Sequence, residues 1–326
     1  MQTIRWGVLG TGHIANTVSS AIEAVDGTEV YAVASRSLEK AESFIDAHHA
    51  SVAYGSYQEL VCDKNVDIVY IATPHSEHYA NAVLCINAGK NVLCEKPIAP
   101  NAAQAREIAE LAQGKNVFLM EAIWTKFLPA IQKAMSWIQE GKIGEPRMLE
   151  AGFCFRSEPD PKNRLFDPSR AGGALLDVGV YPLNLASLVF GYDPEKICGT
   201  ATIGSTGVDE QGAALLKYKS GALACTEFAI RTDARNDAVI YGTEGEIRIP
   251  RFWSAERAEI WKDGSLAEQY ERHFVKNGYE YEIMAVCDCL RHGEAECKTA
   301  SVRDSIKILE MTDKLRRSWG ERYPFE

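Results

Sequence analysis

Apolar and polar positions change rhythm along this chain, and the rhythm predicts its elements. Within the first 120 residues, short apolar runs alternate with amphipathic stretches. TIRWGVLG predicts a strand, and residues 13–25 predict a helix. EVYAVAS predicts a second strand and SLEKAESFIDAHH an amphipathic helix. VDIVYIAT reads as an apolar strand, followed by a helix over residues 76–88. NVLCE, a helix over 101–113, and the strand NVFLM complete the series. Strands apolar on both faces and separated by helices define a doubly wound parallel sheet, covered on both sides.

The rhythm changes after Glu121. A helix is predicted over residues 128–139, and GKIGEP ends it. Closely spaced strand-like runs follow at 147–155, 212–219, 222–230, 237–243, 245–250 and 258–262. Such spacing predicts a mainly antiparallel sheet. Helices are expected near 173–190, 278–291 and 301–317. The organisation expected is an α/β domain over residues 1–121 and an α+β domain over 122–326, with the last helix free to pack back on the first.

Composition narrows the function classes. The 326 residues are 46% hydrophobic and 25% charged, with a formal net charge of −10. An acidic chain without a basic run is a poor partner for nucleic acid or an anionic membrane. No run of 18 apolar residues predicts a membrane span. The opening MQTIRWGVLGTG lacks the apolar region of a signal peptide, and the expected location is cytoplasmic. The nine cysteines, several in apolar runs, are expected to be reduced core thiols. The seven histidines show no metal-ligand spacing, and the adjacent rings of His48 and His49 diverge on a helix.

GVLGTGHIA places Gly10 and Gly12 at the first strand-to-helix junction. Such glycines allow a tight turn and close approach of a pyrophosphate, while the helix N-terminus offers N–H groups. His13 and Ile14 follow in the same turn. After the second strand the sequence runs Ser35-Arg36-Ser37, with no acid until Glu39. An acid there would accept from a ribose 2′-hydroxyl. An arginine instead clamps a 2′-phosphate. The expected cofactor is NADP rather than NAD.

The stretch VLCEKPIAP sets Glu95, Lys96 and Pro97 where an apolar strand ends. GTGHIA, IATPHSEHYANA, CEKPIA and GGALLDVGVYPLNLA occur in that order along the chain. Together they resemble the Gfo/Idh/MocA oxidoreductase family, and within it the dihydrodiol and D-xylose dehydrogenase branch. The resemblance implies a Rossmann domain and a second domain whose large open sheet commonly forms a homodimer interface. It implies that Lys96 lies beside nicotinamide and substrate hydroxyl, that Glu95 supports it, and that the bond before Pro97 is often cis. By the same resemblance Thr73, His78, Glu121 and Trp124 border the cofactor. His75, Phe155 and Arg156 are further candidates for the pocket.

Asp177 and Tyr181 stand four apart in an expected helix and so share a face. A tyrosine has an ordinary pKa of about 10, and a nearby lysine lowers it into useful range. Tyr181 is therefore the expected acid-base group, assisted by Lys96, with Asp177 orienting substrate hydroxyls. Many family members carry His at the Tyr181 position, which argues against an inositol-type substrate. The expected reaction moves a hydride between nicotinamide and a hydroxyl or carbonyl carbon of a sugar or trans-dihydrodiol. A deoxysugar or keto-sugar reductase and a non-catalytic NADP-binding regulator are the alternatives. Hydride transfer of this kind requires no metal.

Overall fold

The structure is a computed structural model and describes residues 3–326. Its contacts divide the chain into two compact units. The first runs to Trp124 and also takes Phe274–Ile306. The second comprises Thr125–His273 and Lys307–Glu326. The sequence reading set the division at residue 121 and let the last helix return; in the structure Phe274–Ile306 is grouped with the first unit and Lys307–Glu326 with the second.

The first unit contains, in chain order, β1 (Ile4–Leu9), α1 (His13–Glu23), β2 (Thr28–Ala34), α2 (Leu38–His48), β3 (Val52–Tyr54) and α3 (Tyr57–Cys62). It continues with β4 (Ile68–Ile71), α4 (His75–Asn87), β5 (Asn91–Glu95), α5 (Ala102–Lys115) and β6 (Leu119–Ala122). The sheet order is β3-β2-β1-β4-β5-β6, and every pairing is parallel. All four residues of β4 are buried, as a central strand covered on both faces requires. The order reverses direction between β1 and β4, so a crevice opens beyond their carboxyl ends.

The short pair β3 and α3 was not expected from apolar rhythm. A capping box starts α3: Glu59 N–H donates to Ser56 Oγ at 3.3 Å, and Ser56 N–H donates to Glu59 Oε2 at 3.1 Å.

The second unit opens with α6 (Pro129–Gln139) and β7 (Pro146–Cys154). A π-helical turn (Leu175–Gly179) then leads into α7 (Val180–Phe190). The strands β8 (Lys196–Ile203), β9 (Asp209–Lys217), β10 (Leu223–Ala229), β11 (Ala238–Gly242), β12 (Gly245–Ile249), β13 (Arg257–Lys262) and β14 (Ser265–Glu271) follow. They form an eight-stranded sheet in the order β14-β13-β12-β11-β7-β10-β9-β8. Only β7–β10 is a parallel pairing. Helix α7 packs on β7 and β10, and α6 packs on β12–β14. Pro168–Phe190 is long and apolar enough to cross a bilayer by composition, but 83% of its apolar window is buried within the protein. It therefore reads as core.

The chain closes with α8 (Glu280–His292), which packs on α1 in the first unit, and α9 (Val302–Trp319), within which the division into units falls. All nine cysteines are free thiols. Cys62, Cys198 and Cys225 are exposed, so these three are not the core thiols expected; the exposed positions of β8 and β10 carry two of them.

Candidate active site

The glycine turn has the geometry its sequence demands. Gly10 adopts φ +101°, and a Cβ there would lie 2.6 Å from the Ala72 carbonyl oxygen. Only glycine fits that position without strain. Gly12 has open space around it and begins α1 with no side chain capping the helix. First-turn N–H groups thus remain available to an anion. His13 is exposed and Ile14 half-buried at that end.

A brace behind the turn went unread in the sequence. Asn16 Nδ2 donates to Gly12 O at 2.9 Å. Asn16 Oδ1 meets His48 Nε2 at 2.9 Å, and His48 Nδ1 meets Glu23 Oε1 at 3.0 Å. His48, dismissed as a metal ligand, is a buried strut for the cofactor turn.

At the end of β2, Ser35 is buried and its Oγ accepts from Ser37 N–H at 3.4 Å. Arg36 is exposed and makes no hydrogen bond or ion pair among the described residues. Its guanidinium is therefore available to a phosphate. These features fit a phosphorylated dinucleotide.

Glu95, Lys96 and Pro97 follow directly from β5, and the Lys96–Pro97 bond is cis. Tyr70 donates to Glu95 Oε1 at 2.5 Å, and Lys96 N–H donates to Glu95 Oε2 at 3.2 Å. Burial pushes the Glu95 carboxyl above the usual carboxylate range, against the Lys96 charge and the Tyr70 hydrogen bond. Burial and then the Glu95 charge hold the Tyr70 phenol well above its ordinary value. Tyr70 accordingly acts as a fixed donor and not as a base. Glu121 Oε1 accepts from Ile98 N–H at 2.8 Å, which fixes the far side of the Lys96 turn.

His78 is fully buried. Its Nδ1 meets Pro97 O at 2.7 Å, and its Nε2 meets Thr73 O at 2.8 Å. Its ring joins the Lys96 turn to the end of β4, a structural duty the sequence did not reveal. Thr73 Oγ1 accepts from Asn81 Nδ2 at 3.1 Å. His75 is buried beside His78. Trp124 stacks on Tyr279 with ring centroids 4.2 Å apart, and Phe274 meets it edge-on. The sequence reading named Trp124 but neither of its partners.

In the second unit, Asp177 lies in the π-helical turn and Tyr181 in the first turn of α7. The sequence predicts an ordinary helix here, whereas the structure has a π-helical turn leading into α7, and π-turns of this kind recur at functional sites. Asp177 is buried and accepts from Arg164 Nη1 at 3.0 Å, while Arg164 is itself about half exposed. Arg164 begins a single 3-10 turn, Arg164–Phe166, 13 residues upstream, too short to leave a periodic signal in the sequence.

Tyr181 meets the Phe153 ring edge-on at 5.3 Å, and Phe153 stacks on Trp253 at 4.5 Å. Phe153 belongs to β7, whereas Phe155 follows the end of that strand. Arg156 is exposed and pairs with Glu158 at 2.8 Å. Among the described residues, no group of three or more His, Cys, Asp or Glu side chains could hold a metal ion.

These two constellations sit on a recognisable pair of domains. Residues 4–123 match the oxidoreductase family with an NAD-binding Rossmann fold, and residues 131–248 match the GFO/IDH/MocA C-terminal domain. The chain belongs to the Gfo/Idh/MocA oxidoreductase family. It is 37% identical to a trans-1,2-dihydrobenzene-1,2-diol dehydrogenase from Mus musculus, over 99% of both chains. The human protein of that name is 34% identical, again over 99% of each. A solved 3-ketoreductase from Actinomadura kijaniata, in complex with NADP and TDP-benzene, is 28% identical with a TM-score of 0.88. It covers 97% of this chain, which covers 98% of it.

Proposed function

We propose that the protein is an NADP-dependent dehydrogenase or reductase acting on a hydroxyl-bearing carbon of a trans-dihydrodiol or sugar. The observation that carries this reading is in the first unit. The open turn at Gly10–Gly12 and the Lys96 turn both lie at carboxyl ends of one parallel sheet, where such sheets bind dinucleotides. The full-length likeness to trans-dihydrodiol dehydrogenases supports the diol. The 3-ketoreductase supports a keto-sugar as the second reading.

Gly10, Gly12 and the start of α1 would hold the pyrophosphate, and Ser35 with Arg36 the 2′-phosphate. The nicotinamide, when bound, supplies the hydride acceptor or donor. In the oxidation direction, the substrate C–H electron pair leaves as hydride, C–O becomes C=O, and the hydroxyl proton passes to Tyr181. Lys96 stabilises the alkoxide-like oxygen and favours the Tyr181 phenolate. Asp177, held by Arg164, accepts from a neighbouring substrate hydroxyl. The reading is tested by NADPH formation across trans-dihydrodiols and aldoses. Tight NADP binding with no turnover on either class would move the protein towards a cofactor-binding regulator.

Replacing Arg36 by Ala should raise the KM for NADP⁺ about 10- to 100-fold, the loss of one charge-assisted contact. The KM for NAD⁺ should stay within about twofold. Parallel changes for both cofactors would remove Arg36 from the 2′-phosphate.

The second-unit sheet supports a homodimer. On β9 and β10 exposed positions alternate with buried ones, leaving an open face with a depression of about 770 Å³ lined partly by Cys198, Leu215, Cys225 and Tyr241. Sedimentation of the full chain should give twice the 36.0 kDa chain mass. A monomer at micromolar concentration would contradict this. An acidic enzyme of soluble small molecules, with free thiols, fits the cytoplasm, and fractionation of cells expressing it checks the location.

A further inference from the structure

The segment carrying Asp177 and Tyr181 begins at Gly172–Gly173, and the grip on that glycine pair is unusual. Gly173 adopts φ +119°, and a Cβ there would lie 2.2 Å from Asp209 Oδ1. Asp209 is fully buried, and its Oδ2 accepts from Leu175 N–H at 2.7 Å, two residues before Asp177. Asp209 N–H in turn donates to Glu321 Oε1 at 3.1 Å. Tyr323 donates to Gly172 O at 2.7 Å. Gly173 N–H donates to Leu165 O at 2.9 Å, which ties in the loop that bears Arg164. Residues separated by more than 100 positions thus converge on one turn.

Two carboxyl groups stand together at this joint. Asp209 Oδ1 and Glu321 Oε2 are both buried and without a hydrogen-bond partner among the described residues. The cation facing them is Arg316 of α9, itself buried and already bonded to Asp313 at 3.1 Å and Glu326 at 2.7 Å. The Tyr323 ring lies 4.4 Å from that guanidinium. A guanidinium already paired with Asp313 and Glu326 cannot also neutralise two buried carboxylates.

We propose that Asp209 and Glu321 share one proton, and that this acid pair, with the C-terminal residues 321–326, positions Asp177 and Arg164. A single proton held by the pair removes the repulsion of two buried charges. Asp209 and Glu321 are positioning residues. Their effect on the reaction rests on the function proposed above.

The charges support the geometry. Burial and then Glu321 push Asp209 well above its ordinary 3.8, and burial pushes Glu321 above its ordinary 4.5. Arg316 opposes both shifts, while Glu326 adds to that of Glu321. Because the folded state holds the proton more tightly, this stability is complete below the unfolded values. It is lost as pH rises through the folded value of the pair.

The test uses the full chain with NADP present, between about pH 5 and pH 9. Tm, kcat and the KM for NADP⁺ are measured for wild type, Glu321→Gln, Asp209→Asn and Glu321→Ala. An amide can donate to the remaining carboxylate without titrating. The two amide variants should therefore flatten the fall of Tm with pH and keep kcat within about threefold. They should also lose a carboxylic-acid C=O band that the wild type shows in the infrared difference spectrum. Glu321→Ala should lower kcat about tenfold or more, as small misplacements do, with the KM for NADP⁺ within about twofold. If one amide variant does not fold, the other carries the comparison. Wild-type and amide-variant slopes that run parallel, with no band lost, would overturn the shared proton. An unchanged kcat in Glu321→Ala would overturn the positioning. Absence of turnover by wild type would instead fail the function proposed above, while the Tm and infrared results still decide the pair.

Discussion

Tyr181→Phe is expected to lower kcat by about 10²- to 10⁴-fold, the range for removing a general acid-base group. The substitution deletes one oxygen and keeps the ring. Tyr181 is buried and meets Phe153 edge-on, so its packing should survive. Tm should move by no more than a few degrees, the scale of a change near 1 kcal/mol in a chain of this size. Binding of NADP should be unchanged, because the glycine turn and Arg36 belong to the first unit. Rates with NADP⁺ and a trans-dihydrodiol, set beside cofactor titration and a melting curve, check all three. Equal turnover in both proteins would take Tyr181 out of the chemistry.

Lys96→Met is expected to cost about 10²- to 10³-fold in kcat at neutral pH, comparable to removing one charge-stabilising group. Methionine keeps much of the length and removes the charge. The proposed proton acceptor is then a tyrosine without its cation, so residual activity should rise towards the ordinary tyrosine range near pH 10. The same substitution removes the charge that opposes the burial of Glu95. Glu95 still accepts from Tyr70, so the turn should keep its shape. A pH–rate profile of Lys96→Met beside wild type separates the two roles. A parallel profile with little loss of kcat would make Lys96 a structural residue.

The first unit was legible because its signals are local. An apolar strand, two glycines and a helix occupy adjacent residues in β1 and α1, and β4 is apolar throughout. Burial on both faces is what writes such a pattern. The strands β8 and β14 escaped notice for the opposite reason. They are the edges of their sheet and mostly exposed, so KICGTATI and SLAEQYE carry little apolar alternation. The pair β3 and α3 is short, although Ser56 and Glu59 do spell a capping box.

The site divided along the same line. The tight turn at Gly10 and the strand end before Lys96 could be read from neighbouring residues. The groups that hold them could not. His48 reaches Asn16 across 32 positions, His78 reaches Pro97 across 19, and Glu321 reaches Asp209 across 112. Long-range hydrogen bonds leave no periodic trace. The π-turn before α7 is also silent, since its apolar residues are buried all round and fit an ordinary helix equally well.

Hydride transfer between a substrate carbon and NADP can be followed by label. A trans-dihydrodiol deuterated at its carbinol carbon is turned over with NADP⁺ by the wild-type protein, and the reduced cofactor is analysed by mass. One deuterium is expected in NADPH, with a slower rate than for the protiated diol. Diol consumed without deuterium reaching the cofactor would contradict it.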